Sequence, residues 1–230
     1  MLVEADDAAK WKDEFETFVR DPAFPCVGAK SALSRGTLRI VVCWSIESAW
    51  DDVRIHRELL DWAFRYREEP GLFRSLAVIF AKPEQTMDEP RFERAMWDRI
   101  QSLADKDAWL EQPYDRRVSA DPDDPHFSLS FGGEGFFVVG LHPAASRPAR
   151  RFARPVLVFN LHDQFEQLRT DGRYETIRET ILDRDESLAG TVNPMLARHG
   201  EKSEAAQYSG RVVGPDWKCP FSDKRDAKRP

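Results

Sequence analysis

Between Phe127 and Leu141 the chain spells out a β-hairpin. Phe127–Phe131 alternates Phe, Ser, Leu, Ser, Phe, the period of two that gives a strand one apolar and one polar face. Gly132-Gly133-Glu134-Gly135 supplies the turn, since glycine takes positive φ without steric cost. Phe136–Leu141 then returns as a buried strand. The turn joins two strands and does not lead from a strand into a helix. It is therefore read as a hairpin, not as a phosphate cradle.

Other elements can be placed around it. Ala5–Arg20 has Trp11, Phe15, Phe18 and Val19 near helical spacing and ends before DPAFP, whose prolines enforce extended backbone. Leu38–Trp44 is short and β-branched, as a buried strand is. Ser48–Arg67 reads as a helix capped by Ser48, with Trp50, Val53, Leu59, Leu60 and Phe64 inward, broken at Glu68-Glu69-Pro70-Gly71. Phe73–Phe80 is a second strand, and Asp88–Asp105 a second surface helix with Pro90 in its first turn. Asp107–Asp124 is a polar loop long enough to suggest a functional segment or lid. Pro155–Asn160 is a further strand, followed by helix over Asp163–Leu168 and Arg173–Leu188. From Gly190 onward the chain reads as irregular, with residues 222–230 frayed. The expectation is one α+β domain over residues 1–230: a mixed, mostly antiparallel sheet of about five strands, flanked by about four helices.

Composition narrows the function. The 230 residues are 41% hydrophobic and 11% aromatic, enough to bury a sizeable core. A net charge of −6 argues against general nucleic-acid binding. No apolar run reaches the roughly 18 residues of a spanning helix, and MLVEADDAAKWKDEF holds no leader, so a soluble cytoplasmic protein with no membrane partner is expected. Cys26, Cys43 and Cys219 form no closely spaced pair, which disfavours disulfides and structural zinc. Cys43 suits a core. Cys26 and Cys219 sit in loop-like contexts and stay open as ligands.

Candidate chemistry gathers in Pro125–Glu166. His142 ends a strand and is restrained by Pro143, a position where scaffolds present functional groups, although a hydrogen-bonded strand cap would look the same. His162 repeats the arrangement, with Asp163 able to orient it or to cap a helix. His126 stands before a strand and is a pocket candidate. His56, in a charged helix, reads as surface, and His199 lies in the irregular tail. Arg147, Arg150, Arg151 and Arg154 fall in one proline-stiffened loop. Arginine forks pair bidentately with carboxylates, against the alternative of a solvated basic face.

Several long stretches together resemble the YqcI/YcgG family: FPCVGAKSAL, PHFSLSFGGEGFFVVGLHPAASRPARRF, PVLVFNLHDQFEQLR, TVNPMLARHGEKSEAAQYSGR and WKCPF, spanning Phe24 to Phe221. Members of known activity are haem-dependent N-hydroxylases of guanidine groups, in natural-product routes such as those to D-cycloserine and guanitoxin. The resemblance implies haem b, oxygen or peroxide, and a small substrate bearing a guanidine or amine, with a homodimer left open. On that basis His142 is the expected axial ligand, with Cys26, His162 and Cys219 as alternatives. Arg147, Arg150 and Arg151, with His126, would hold propionates or a substrate carboxylate. Glu134, His162 and Asp163 are the expected catalytic groups, and Glu201 and Glu204 further acids for a guanidinium. A haem sensor or carrier without oxygenase activity and a metal-free anion-binding domain are the rival readings.

Overall fold

A computed structural model describes residues 3–82, 85–195 and 200–225. Five strands form one open sheet in the order β1-β2-β5-β4-β3. They are β1 (Leu38–Ser45), β2 (Ser75–Lys82), β3 (Leu129–Phe131), β4 (Glu134–Leu141) and β5 (Val156–Leu161). β1 and β2 run parallel, joined by helix α3 (Asp52–Glu68), because a parallel pair needs a long crossover. The pairings β2–β5, β5–β4 and β4–β3 are antiparallel. The sheet is thus mixed, and the single α+β domain expected from the sequence is the one observed.

Strand alternation divides the core in two. Val41 and Cys43 of β1, Leu76, Val78 and Phe80 of β2, and Leu157, Phe159 and Leu161 of β5 point to one face. There they meet α3 and α4 (Glu89–Trp109). The intervening residues Val42, Ala77, Ile79 and Val156 point to the other face and meet Trp11, Phe15 and Val19 of α1 (Ala5–Arg20). α2 (Val27–Ser34), α5 (Asp163–Thr170) and α6 (Tyr174–Ala189) complete that second layer, and the short α7 (Ala205–Tyr208) lies against β4. Each buried Phe or Leu contributes roughly 1.5–3 kcal/mol, so the two-sided sheet is the main source of stability.

The hairpin turn forms as read. Gly132 and Gly133 both take positive φ, 59° and 83°, the requirement of the tight turn that matches strand twist. Asp107 locks it, accepting from the Gly132 amide at 3.1 Å, from His56 Nε2 at 2.7 Å and from Arg225 at 3.0 Å.

Several expectations need correction. His56 is 3% exposed, not a surface residue. The inner face of α3 carries Ile55, His56, Leu59, Ala63 and Tyr66, whereas Trp50, Val53 and Phe64 are exposed. The apolar residues had suggested a phase about one position off. α2 and α7, short and of mixed composition, carry no sequence pattern that marks them as helices. The 110–126 loop packs beside the hairpin through Asp115 and Tyr114. Residues 222–225 are not frayed: Ser222 and Gln101 exchange hydrogen bonds, Lys224 pairs with Asp105, and the partly buried Arg225 lies over Tyr114. The remainder of the expected frayed tail, 226–230, and His199 lie outside the described residues.

Candidate functional site

One face of the sheet is incompletely covered, and a cavity of about 260 Å³ opens there between β2, β4 and β5 and the helices α2, α5 and α6. Its floor runs across the sheet in a row of residues, with Val139 beside it. Phe137 of β4 is registered with Asn160 of β5, and Asn160 with Ser75 of β2. The Ser75 hydroxyl donates to Asn160 Oδ1 at 2.7 Å, so the polar pair in this floor is satisfied internally. The walls are mostly apolar, with Phe165, Leu168, Ile177 and Ile181 on the helical side. Phe73, also in the wall, holds φ at 61° although it is not glycine. Such a conformation costs of order 1–3 kcal/mol and persists only where packing enforces it.

Cys26 lines this cavity. It is the N-cap of α2, and its Sγ accepts from the Ala29 amide at 3.4 Å. Removal from water pushes the thiol pKa up, against the smaller lowering from the helix amides and Lys30. The resting thiol is therefore protonated, and a metal binding there would displace one proton. Next to it, a Cβ on Gly28 would stand 3.8 Å from the sulfur, an ordinary contact that would narrow the approach. Arg169 and Arg178 mark the helical side. Arg169 pairs with Glu166 and stacks 4.4 Å from the Tyr174 ring, while Arg178 has no ion-pair partner among the described residues. Glu204 and Gln207 close the opposite end.

The other predicted site residues lie elsewhere. His142 is 1% exposed and stacks on Phe92, 4.3 Å between ring centres and 21° from parallel. Neither ring nitrogen has a hydrogen bond among the described residues. Burial lowers its pKa, with the charge of Glu89 opposing the shift only partly. It does not line the cavity. Arg147 is buried against Asp185 and donates to Thr191 Oγ1 at 3.1 Å, which ties the loop to the C-terminal end of α6. Arg150 donates to the Tyr208 carbonyl at 2.9 Å and lies under Gly210, where burial lowers its guanidinium to about 10. Arg151 serves the carbonyls of Ala145 and Ser146, and Arg154 stacks over Trp11. The loop is held by its own arginines. His126 is exposed and pairs with Asp124, and Cys219 packs at the margin of the other core.

Glu134 and Asp163, the expected guanidinium partners, do converge on a guanidinium, but it is the chain's own Arg117. Arg117 lies 2.7 Å from Asp115, 2.6 Å from Glu134 and 2.8 Å from Asp163. Tyr66 donates to Asp163 at 2.6 Å, and Gln167 to both. Desolvation raises Glu134 above the ordinary carboxylate range despite Arg117. His162, 4% exposed, sits behind Glu204: its Nδ1 is 3.1 Å from Ser128 Oγ, and that hydroxyl donates to Glu204 at 3.1 Å. Sequence reasoning found His162 and Glu204 but missed their link, because Ser128 reads only as the polar half of an alternating strand.

The sequence profile of the YqcI/YcgG family matches residues 15–222. The chain belongs to the YqcI/YcgG family. A relative in Bacillus subtilis (strain 168), named uncharacterized protein YqcI, is 28% identical over 203 residues, covering 82% of this chain and 76% of that one. No solved structure matches. The matched span takes in Cys26, the three cavity strands, α5, α6 and Glu204, so the site is built from YqcI/YcgG sequence throughout. No helix among the described residues is long and apolar enough to cross a membrane. Among the same residues no group of three His, Cys, Asp or Glu is arranged to hold a metal ion. A haem iron asks less of the protein, since a single side chain can be its ligand.

Proposed function

We propose that the chain is a haem-dependent monooxygenase that N-hydroxylates a guanidine or amine group of a small molecule, and that Cys26, not His142, would hold the iron. The observation that carries the reading is the Cys26 thiol in the wall of a mostly apolar cavity, with Arg169 and Arg178 on the helical side. Its chemistry suits the group: a soft ligand for iron, apolar walls for a macrocycle, and guanidiniums for propionates. Its size needs adjustment. At about 260 Å³ the cavity falls below the roughly 300–1,000 Å³ of ordinary ligand sites, so a tetrapyrrole requires α6 to move outward. α6 is the element suited to yield, since among its residues only Asp185 is buried.

Bound there, a thiolate-ligated haem would supply oxygen activation, the thiolate favouring O–O cleavage. The overall conversion turns N–H into N–OH and releases the second oxygen atom as water, consuming two electrons from an external reductant and two protons. The chain's own residues would do the rest. Phe137, Phe165 and Leu168 exclude water, and Asn160 and Gln207 offer amides for orientation. Glu204 is the one expected acid that reaches the cavity, placed to face a cationic nitrogen.

The spectrum of freshly purified protein, with hemin added where needed, tests the reading. A Soret band is expected that Cys26→Ser abolishes or shifts and His142→Ala leaves in place. Serine keeps the helix cap, so the loss reports ligation and not unfolding. A colourless protein that refuses hemin, or a band indifferent to Cys26→Ser, overturns the proposal. The metal-free alternative is favoured by the cavity's small volume, and the same spectrum decides against or for it.

A further inference from the structure

We propose that the seam between α2 and α6 is a binding site for a soluble phosphate-bearing anion, and that an anion there holds α6 closed over the cavity. A second cleft, of about 420 Å³, lies along this seam. Ile177 lines both the cleft and the cavity, so the two spaces share a side chain of α6. The lining of the cleft is one-sided in charge. Lys30 of α2 and Arg184 of α6 supply two cations, and Ser31, Ser34, Thr176 and Thr180 supply four hydroxyls. No carboxylate lines it among the described residues, although α6 carries Glu175, Glu179, Asp183 and Glu186 and the chain is acidic overall. Helical spacing is the reason: neither Lys30 nor Arg184 has an acid three or four places away on its own helix.

The hydrogen-bond donors of the cleft are only partly engaged. Lys30 gives one N–H to the Pro22 carbonyl at 3.1 Å, which leaves two. Ser34 and Thr180 donate to carbonyls of their own helices, at 3.1 and 2.8 Å. The hydroxyls of Ser31 and Thr176 donate to no group among the described residues, and Arg184 has no ion pair among them. A guanidinium fork, an ammonium and two hydroxyls are a donor set for phosphate oxygens. The volume falls in the roughly 300–1,000 Å³ range of ordinary small-ligand sites. With no aromatic ring in the lining, nothing there stacks on a base, so the phosphate itself is the recognised group.

Binding here has a mechanical consequence. Lys30 and Arg184 sit on different helices and carry like charge, so on their own they push α2 and α6 apart. A dianion between them turns that repulsion into attraction to a common centre. α6 is also the element that must move outward for a tetrapyrrole to enter the cavity. Anion and hemin therefore oppose each other, and by linkage each weakens the other by the same factor. The anion site stands independently of the haem reading, and only its antagonism with hemin rests on that reading.

Pyrophosphate is the probe, titrated calorimetrically into the protein without hemin. Ionic strength is held constant, because exposed cations are screened over about 10 Å at 0.1 M salt. Saturable binding is expected in wild type, weakened about tenfold or more in Arg184→Gln and in Lys30→Gln. Arg184→Gln breaks no ion pair, so its circular dichroism should be native. No binding above a chloride-matched control, or equal binding in both variants, overturns the site. Binding to vesicles of phosphatidic acid with none of pyrophosphate overturns the soluble ligand. Closure of α6 is read from alkylation of Cys26, which lines the cavity and is separated from Cys43 and Cys219 by peptide mass spectrometry. Pyrophosphate should slow it several-fold in wild type and not in Arg184→Gln, and an unchanged rate in wild type overturns the closure. Hemin uptake should weaken with pyrophosphate in the same pattern. A wild type that takes up no hemin sinks the haem reading, while calorimetry and alkylation still decide the anion site.

Discussion

Two regions of this molecule carry the same kinds of side chain and use them in opposite ways. In the 142–154 segment, a histidine and four arginines crowd into a short loop. Each of the arginines is engaged by a carbonyl, by Asp185 or by an aromatic ring, Arg151 doing so at the surface, and the histidine stacks on Phe92. On the cavity wall a thiol, two arginines and one carboxylate are scattered over four elements, yet they surround empty space. A dense charge run signals chemistry in sequence because its partners are invisible there. In three dimensions its groups can be satisfied locally, and the sparse set becomes the candidate site. The difference can be broken from either side.

The largest expected effect is on the cavity side. Cys26→Ser should remove the Soret band while moving stability by no more than a few tenths of a kcal/mol, since serine is an equal or better N-cap. On the loop side, Arg147→Met should do the reverse. It leaves Asp185, 6% exposed, with its charge uncompensated, a loss of about 3–5 kcal/mol measurable by denaturant unfolding, with the haem spectrum of the folded fraction unchanged. A loss of the spectrum in folded Arg147→Met would put the loop back in the site. Third, Gly140→Ala should cost about 1–3 kcal/mol by overpacking. Its Cβ would meet Phe92 at 2.7 Å and the Tyr208 carbonyl at 3.0 Å, where ring and backbone leave no room.

The fold was far more legible than the site. Period-two alternation in FSLSF and the glycine turn located the hairpin, and β-branched runs located β1, β2 and β5, because such patterns are local. α2 escaped, for VGAKSALS contains no apolar stripe and its cap is a cysteine, not one of the usual oxygen-bearing caps. The same omission hid the site: only once α2 exists does Cys26 become a helix cap facing a cavity. His162 and Glu204 were each singled out, but the 76-residue gap between Ser128 and Glu204 is closed by tertiary packing alone. Glu134 and Asp163 read in sequence as partners for a substrate guanidinium; the fold gives them the chain's own Arg117 instead, and nothing local identifies it.

The smallest effect concerns His142, and it separates a structural histidine from a functional one. Its folded pKa is lowered by desolvation, so the unfolded chain binds the proton more readily. The sign follows: stability is unaffected well above the unfolded value near 6.5, and falls as pH drops from there toward the folded pKa. One proton taken up on unfolding corresponds to a slope of at most about 1.4 kcal/mol per pH unit. His142→Phe keeps an aromatic ring against Phe92 and removes the titration. The variant's stability should therefore match wild type near neutral pH and exceed it progressively below about pH 6.5, measured by urea unfolding across that range. Glu134 titrates in the opposite sense over its own raised range in both proteins, so the difference between the two curves isolates the histidine. Parallel curves would mean that His142 gains a proton partner in the folded state, which would return it to the list of groups with chemistry to perform.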